Sequence, residues 1–249
     1  MNPHKMEAKM IFEATYTPVL EDYGRNGKLS PTAILKILEN AGSRHSESAG
    51  DSILQGCRDG HGWVLTDWRL EILEYPAYRE NIRTETWPEA GKIIFGTTRN
   101  FLMYDDTGKN VVKASTKWVR LDLNTGRPVK IEPELMERYH PDEKKVFEDG
   151  KMPKITEPES WAAEKTIQLR RSDIDFNNHL HNLCYLDFAL DILPEPVYAE
   201  CSFKSIRISY KSAVKEGETI VAKYALVEKK HIVGIFGSDG SLKTLVELA

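Results

Sequence analysis

Trp68-Arg69-Leu70-Glu71-Ile72 alternates apolar and charged side chains, the period-2 pattern of a strand with one buried face. Slid along the chain by ~138 positions, the large-period comparison that exposes duplication, it falls on Ile206-Arg207-Ile208-Ser209-Tyr210. The continuation agrees, since Glu80-Asn81-Ile82-Arg83-Thr84 falls on Glu218-Thr219-Ile220-Val221-Ala222. Each half reads as an alternating strand, an acidic turn and a second alternating strand.

Working outward, a somewhat larger shift places Asp22-Tyr23-Gly24-Arg25-Asn26-Gly27-Lys28-Leu29 on Asp173-Ile174-Asp175-Phe176-Asn177-Asn178-His179-Leu180. Both stretches follow a short alternating strand and precede an apolar helix. The difference between the two shifts is an insertion in the first half, around Gly50 to Gly62. The first helix starts at Ser30, a good N-cap, with Pro31 where a missing N–H costs nothing. Ala33, Ile34, Ile37, Leu38 and Ala41 form its apolar face. The second helix carries Leu180, Leu183, Leu186, Leu190 and Leu193 on one stripe and Tyr185, Phe188 and Ile192 on another, and Pro194 stops it. Apolar nearly all round, it is expected to be buried and wrapped by a sheet.

Long strands are expected at Trp63 to Ile72, Ile82 to Trp87, Ile93 to Tyr104 and Val111 to Leu123, with hairpin turns at Asp105-Asp106-Thr107-Gly108 and Asn124-Thr125-Gly126. The second half closes with Ile232 to Phe236, the turn Ser238-Asp239-Gly240, and Leu242 to Leu248. Between the halves runs a charged connector holding Pro128, Pro133, Pro141, Pro153 and Pro158, with a short helix from Pro133 to Tyr139. The organisation is therefore a first unit over residues 1–127, a connector over 128–162 and a second unit over 163–249. One helix laid on a curved antiparallel sheet, given twice, is an α+β arrangement forming a pseudo-dimer within one chain.

The 249 residues suffice for a large core, and 41% hydrophobic with 29% charged side chains is a globular composition. A net charge of -4 gives no basic excess, so no nucleic-acid partner is expected. Cys57, Cys184 and Cys201 fit neither a disulfide framework nor a paired-cysteine metal site. No apolar run approaches the ~20 residues that span a bilayer, and Met1 to Met10 hold no apolar signal segment. A cytoplasmic protein without metal, cofactor or membrane contact is expected.

The densest polar cluster runs from Arg171 to Asn182, between a strand and the second helix. Helix capping explains one or two such residues, but this run holds two aspartates, three asparagines and two histidines. The duplication supplies an internal control. Asp173 is matched by Asp22 and Asn177 by Asn26, whereas Asp175 faces Gly24 and His179 faces Lys28. Shared residues are expected to build the turn, and unshared ones to do chemistry. Asp173 is then a turn residue, Asp175 and His179 belong to a site, and Asn177 fits either role.

The run Asp173-Ile174-Asp175-Phe176-Asn177-Asn178-His179-Leu180-His181-Asn182 resembles the Asp-Leu-Asp-x-Asn-x-His-Val-Asn-Asn signature of acyl-ACP thioesterases. Gly62-Trp63-Val64-Leu65-Thr66, Tyr75-Pro76, Glu85-Thr86-Trp87 and Ala114-Ser115-Thr116-Lys117-Trp118-Val119 resemble the same family, in order, so the likeness spans about Phe12 to Val227. It implies a tandem hot-dog fold, hydrolysis of fatty acyl-ACP, and catalytic roles for Asp175, Asn177 and His179. It also implies an acyl carrier protein as partner and an acyl-chain site between helix and sheet of the first unit; a homodimer is compatible with it. Arg69, Lys113, Lys117 and Arg120 are candidates for a basic patch facing that acidic carrier. One feature departs from the family: an acidic residue expected after a tyrosine and two basic residues is missing, because Tyr210-Lys211-Ser212 is followed by Ala213 and Val214. Glu216 lies nearby but falls on a strand-connecting turn. His181, where the family has asparagine, has no assigned role.

Thioester hydrolysis needs an activated water and a polarised carbonyl. An imidazole, with an ordinary pKa of ~6.5, suits His179 to take the water's proton. Asp175 could orient His179 or itself be base or nucleophile; Asn177 and the N-terminal amides of the second helix could polarise the carbonyl. The alternatives are an acyl-CoA thioesterase, a hydratase or dehydratase of the same fold, and a non-catalytic acyl-carrier-binding module.

Overall fold

The computed structural model describes residues 11–91 and 94–249. The first unit comprises β1 (Phe12–Tyr16), α1 (Pro31–Ser48), α2 (Ile53–Arg58), β2 (His61–Ile72), β3 (Ile82–Pro88), β4 (Gly96–Tyr104) and β5 (Asn110–Asp122). After α3 (Pro133–Glu137) the second unit follows with β6 (Ala163–Gln168), α4 (Asn182–Asp191), α5 (Glu195–Glu200), β7 (Ser205–Tyr210), β8 (Thr219–Val227), β9 (Lys230–Gly237) and β10 (Leu242–Leu248). The insertion inferred between Gly50 and Gly62 is α2 with its flanking turns. The strand expected from Ile93 is seen from Gly96, and Ile93 itself lies outside the described residues. Glycine is required at that strand start, since a Cβ on Gly96 would sit 2.5 Å from the Trp118 carbonyl oxygen.

All strand pairs are antiparallel, and the order is β1-β3-β4-β5-β2-β7-β10-β9-β8-β6. Read outward from the β2–β7 pair, the two halves follow the same scheme. At that seam Trp68 faces Ile208, Arg69 faces Arg207 and Leu70 faces Ile206. The residues that revealed the repeat are therefore those that join its two copies into one sheet. This is the tandem hot-dog arrangement, α+β, with one long helix per unit on the concave face.

Period-2 alternation sends Trp68, Leu70, Ile72, Ile206 and Ile208 to that face, where all are buried against the helices in one core shared by both units. Each fully buried aliphatic chain contributes roughly 1.5–3 kcal/mol. Ser30 caps α1 as expected, its Oγ accepting from the Ala33 N–H at 3.1 Å. The second helix departs from expectation in two ways. Helical turns begin only at Asn182, because Leu180 is held in a bridge to Ile174 and His181 serves as the N-cap. And α4 is buried on one side only: Tyr185, Leu186, Ala189 and Leu190 face the core, while Asp187 and Asp191 are exposed. The reason is that α1 and α4 lie side by side, so each is covered by the sheet below and its partner beside it, with water above. Thr32 of α1 donates to Asp187 of α4 at 2.6 Å across this contact.

The connector runs from the C-terminal end of α1 to the opposite face of the sheet. Leu135, Met136 and Tyr139 pack with Ile131 against Ala49 and Trp63. Further on, Arg69 donates to Asp149 (2.7 Å) and to the Lys151 carbonyl (2.8 Å), and Ile155 buries against Ile232 and Leu245. Among the described residues no helix is long and apolar enough to cross a membrane.

Candidate functional site

The turn preceding each long helix is built on one template. A single helical turn ends in aspartate, Asp22 or Asp173, whose Oδ2 accepts from the N–H three residues back, Val19 at 2.9 Å and Arg170 at 2.8 Å. The carbonyl of the same aspartate accepts from the helix N-cap, Ser30 or His181, at 2.9 Å in both units. Bridges Tyr23–Leu29 and Ile174–Leu180 close the two loops identically. Position for position, Gly27 (φ +73°) and Asn178 (φ +60°) supply the left-handed residue, a conformation asparagine tolerates better than most side chains. Asp22 and Asp173 are almost fully buried, as turn-building groups should be.

Inside this shared frame the side chains diverge. In the first unit the Asn26 Oδ1 accepts from the Lys28 N–H (3.0 Å) and thereby holds the turn. In the second unit Asp175 does that work: its Oδ1 accepts from the N–H groups of Asn177 (2.8 Å) and His179 (3.2 Å), while its own N–H donates to the His179 carbonyl at 2.8 Å. Because a carboxylate now holds the loop, the Asn177 amide is released to point outward, where its Oδ1 accepts from the Cys57 thiol of α2 at 3.4 Å. Asn26 makes the pseudo-symmetric reach, donating to the Glu200 carbonyl at the end of α5 at 2.9 Å. The turn of each unit thus touches the short helix of the other.

Asp175, Asn177 and His179 are gathered on one five-residue loop, with Asp175 and His179 half-buried and Asn177 exposed. The Asp175 carboxylate orients the His179 backbone rather than its ring, and among the described residues the imidazole has no hydrogen-bond partner. Residues 213–216 run alongside: the Leu180 N–H donates to the Val214 carbonyl (2.8 Å), and the Glu216 N–H to the Asn178 carbonyl (3.3 Å). Val214 is fully buried, its N–H donating to the Tyr185 hydroxyl, and Glu216 is an exposed turn residue.

His181 gains a role that its sequence context did not give. Its Nδ1 accepts from the Leu183 N–H at 3.3 Å, so it caps α4 with its ring as Ser30 caps α1 with its hydroxyl. This occupies one of the helix amides expected to polarise a carbonyl. The Nε2 then carries the ring proton and faces Glu39 of α1, 4.0 Å from its Oε1. Nothing in the spacing of the first helix marks Glu39; it adjoins the apolar stripe and meets the second unit's turn only through the α1–α4 contact.

Of the basic candidates, Arg69 is committed to Asp149 and stacks on Phe147 at 3.9 Å, and Arg120 lies 3.6 Å from Asp51. Lys113 and Lys117 stand opposite Glu71 and Asp67 on β2. These four do not form a free basic patch. Among the described residues no three His, Cys, Asp or Glu side chains are grouped to hold a metal ion. A groove of about 590 Å³ lies between β1 and α1 of the first unit, lined in part by Phe12, Ala14, Ile37 and Ala41.

Residues 9–139 match the family model described as the acyl-ACP thioesterase N-terminal domain, and residues 156–243 that of the C-terminal domain. The chain belongs to the acyl-ACP thioesterase family. It is 25% identical over 222 residues to oleoyl-acyl carrier protein thioesterase 1, chloroplastic, of Arabidopsis thaliana, covering 80% of this chain and 59% of that one. With the palmitoyl-acyl carrier protein thioesterase, chloroplastic, of Cuphea hookeriana it shares 26% over 220 residues, 81% of this chain and 51% of the relative. It therefore spans between half and three-fifths of the length of these relatives. In three dimensions it resembles the 12:0-ACP thioesterase from Umbellularia californica (TM-score 0.86, 18% identity, 96% of each chain). It likewise resembles the acyl-ACP thioesterase from Bacteroides thetaiotaomicron (TM-score 0.82, 24% identity, 95% and 96% covered).

Proposed function

We propose that this acyl-ACP thioesterase family member hydrolyses fatty acyl-ACP to free fatty acid and carrier thiol, with Asp175, Asn177 and His179 as its catalytic residues. The reading rests on one observation: two turns share a backbone template, and only the second carries a carboxylate, an amide and an imidazole on it. A turn that needed only to be stable already has a simpler solution in Asn26 and Gly24.

In this scheme His179 is the general base. Water adds to the thioester carbonyl as its proton passes to the imidazole; the C–S bond then breaks, and sulfur leaves with the electron pair and takes up a proton. Asp175 fixes the loop by accepting from two N–H groups through Oδ1 and keeps His179 in place. The exposed Asn177 amide is the donor for the carbonyl oxygen, a role in which one lost donor costs about 10²–10³ in rate elsewhere. We place the acyl chain in the first unit, in keeping with its degenerate turn and with the apolar groove between β1 and α1.

The test is a panel of acyl-ACP and acyl-CoA substrates of matched chain length, followed by release of free thiol, for the wild type and His179→Ala. Faster turnover of the ACP series, abolished in the variant, is expected. Equal or faster turnover of acyl-CoA would reassign the carrier, and carrier binding without thiol release would make the chain a binding module.

A further inference from the structure

We propose that the hydrolytic centre has a fourth member, the carboxyl of Glu39, supplied from the first unit by α1. The proposal rests on the catalytic reading above and addresses what that reading leaves open, the missing acid of the second unit. The local chain cannot provide one: Val214 is buried as packing, Glu216 is exposed on a turn, and Glu218 is tied to the Lys215 N–H (3.0 Å) and to Lys243 (3.5 Å).

Glu39 reaches the site from the other side. Its side chain is 19% exposed, its Oε1 lies 4.0 Å from the His181 Nε2, and its Oε2 is wholly shielded from solvent with no hydrogen-bond partner among the described residues. Buried polar atoms are nearly always satisfied, and leaving a carboxyl oxygen orphaned is a standing cost to the fold. Of the neighbouring donors, the His181 Nε2–H lies beyond hydrogen-bond distance, 4.0 Å from Oε1, and the others are committed. The Tyr210 hydroxyl donates to the Asn182 carbonyl (3.1 Å), and the His181 Nδ1 is an acceptor for the cap. The partner that Oε2 lacks is then one that comes and goes, as a reacting group does.

The surroundings of Glu39 favour its protonated form. Burial pushes the carboxyl above its ordinary range, Asp175 pushes it further, and His181 opposes them. Asp175, by contrast, accepts from two backbone N–H groups. A carboxyl whose surroundings favour the proton is suited to donate one. Glu39 then acts as the general acid. As the C–S bond breaks, sulfur leaves with the bonding pair and takes the Glu39 proton; the proton that His179 removed from water returns to the Glu39 carboxylate. No other reactant is needed.

The experiment compares the wild type, Glu39→Gln and His179→Ala on an acyl-ACP and on an acyl thioester of thionitrobenzoate, whose thiolate departs without a proton. For Glu39→Gln, kcat on acyl-ACP is expected to fall about 10²-fold, within the range for general acid–base groups, with KM little changed. The alkaline limb of its pH profile should disappear, and its rate on the activated thioester should approach that of the wild type. His179→Ala should be slow on both. Glu39→Asp, with the acid retained, should recover part of the loss, and thermal melting checks that each variant is folded. A folded Glu39→Gln with wild-type kcat on acyl-ACP, or with equal losses on both substrates, overturns the assignment of Glu39 and leaves the thioesterase reading standing. A wild type inactive on both substrates overturns the two together.

Discussion

Arg69 and Arg207 stand directly opposite one another on β2 and β7, and each is the other's counterpart in the internal repeat. The pseudo-two-fold axis of the chain passes between them. Like charges facing across a ladder repel, and the two are relieved differently. Arg69 turns to Asp149 and the ring of Phe147 in the connector. Arg207 stays buried, with Glu247 at 3.9 Å and its Nε without a partner among the described residues. Burial pulls the Arg207 guanidinium below its ordinary value, and Arg69 adds to that, while Glu247 opposes it. Removing Glu247 should therefore destabilise more than removing the pair. Glu247→Ala is expected to cost on the order of 3 kcal/mol, and the double change Arg207→Met with Glu247→Met to be near neutral. Urea unfolding midpoints decide this; equal losses in both would contradict it.

The division of roles on the catalytic loop separates by substitution. His179→Ala should lower kcat by about 10²–10⁴ with the melting temperature unchanged, since the ring makes no hydrogen bond within the described protein. Asp175→Ala should lose both rate and about 1–2 kcal/mol of stability, because it removes the acceptor for two N–H groups, as loss of a helix cap does. Asp175→Asn retains an acceptor oxygen, so it should keep most of the stability while remaining slow. If Asp175→Asn melts as low as the alanine variant, the carboxylate is not holding the loop in the manner described.

Acid sensitivity should be centred on the first unit. His45, buried on α1, has its Nδ1 accepting from the Arg99 Nη1 at 2.9 Å and its ring stacked on Phe12. Burial, then the charges of Arg99 and His140, push its pKa down to about 3. The unfolded chain binds this proton from ~6.5 downward and the folded chain only near the lower value. Stability should thus fall as pH drops through that window, by on the order of 3 kcal/mol at pH 4 from this residue. In His45→Gln, which keeps an acceptor for Arg99 and does not titrate, the slope of stability against pH should flatten. An unchanged slope would exclude His45 as its source.

The cysteines should differ in reactivity. Burial pushes the Cys184 thiol up to about 12, helped by Asp173 and Asp187, and pushes Cys201 up to about 11. Thiolate is the reactive form, so at pH 8 a disulfide reagent should titrate Cys57 ahead of both. Because Cys57 touches Asn177, its modification should slow turnover, whereas Cys57→Ser should hardly do so. Fast labelling that persists in Cys57→Ser would show the wrong thiol had been chosen.

Much of this protein is written locally. Alternation in Trp68-Arg69-Leu70-Glu71-Ile72 and in its second copy states which side chains go inward, and Ser30-Pro31 states where a helix starts, because these patterns depend only on neighbours along the chain. The same holds for the loop from Asp173 to His179, whose hydrogen bonds span a few residues and could be matched to Asp22 and its successors. Less local matters were not legible. The half-exposed α4, read from its composition as wholly enclosed, depends on α1 lying beside it; the start of that helix moved because a histidine ring can cap it.

What the sequence by itself determined is the duplication, the α+β tandem architecture and the loop on which one copy differs from the other. Only the tertiary structure decided that Arg69 meets Arg207, that Asp149 of the connector pairs with Arg69, and that Glu39 stands beside a turn more than a hundred residues away. The physical reason is range. Strand alternation and turn hydrogen bonds act between residues close in the chain, whereas burial, charge pairing and the sharing of a proton depend on distances that exist only after the helices and the ten strands have packed.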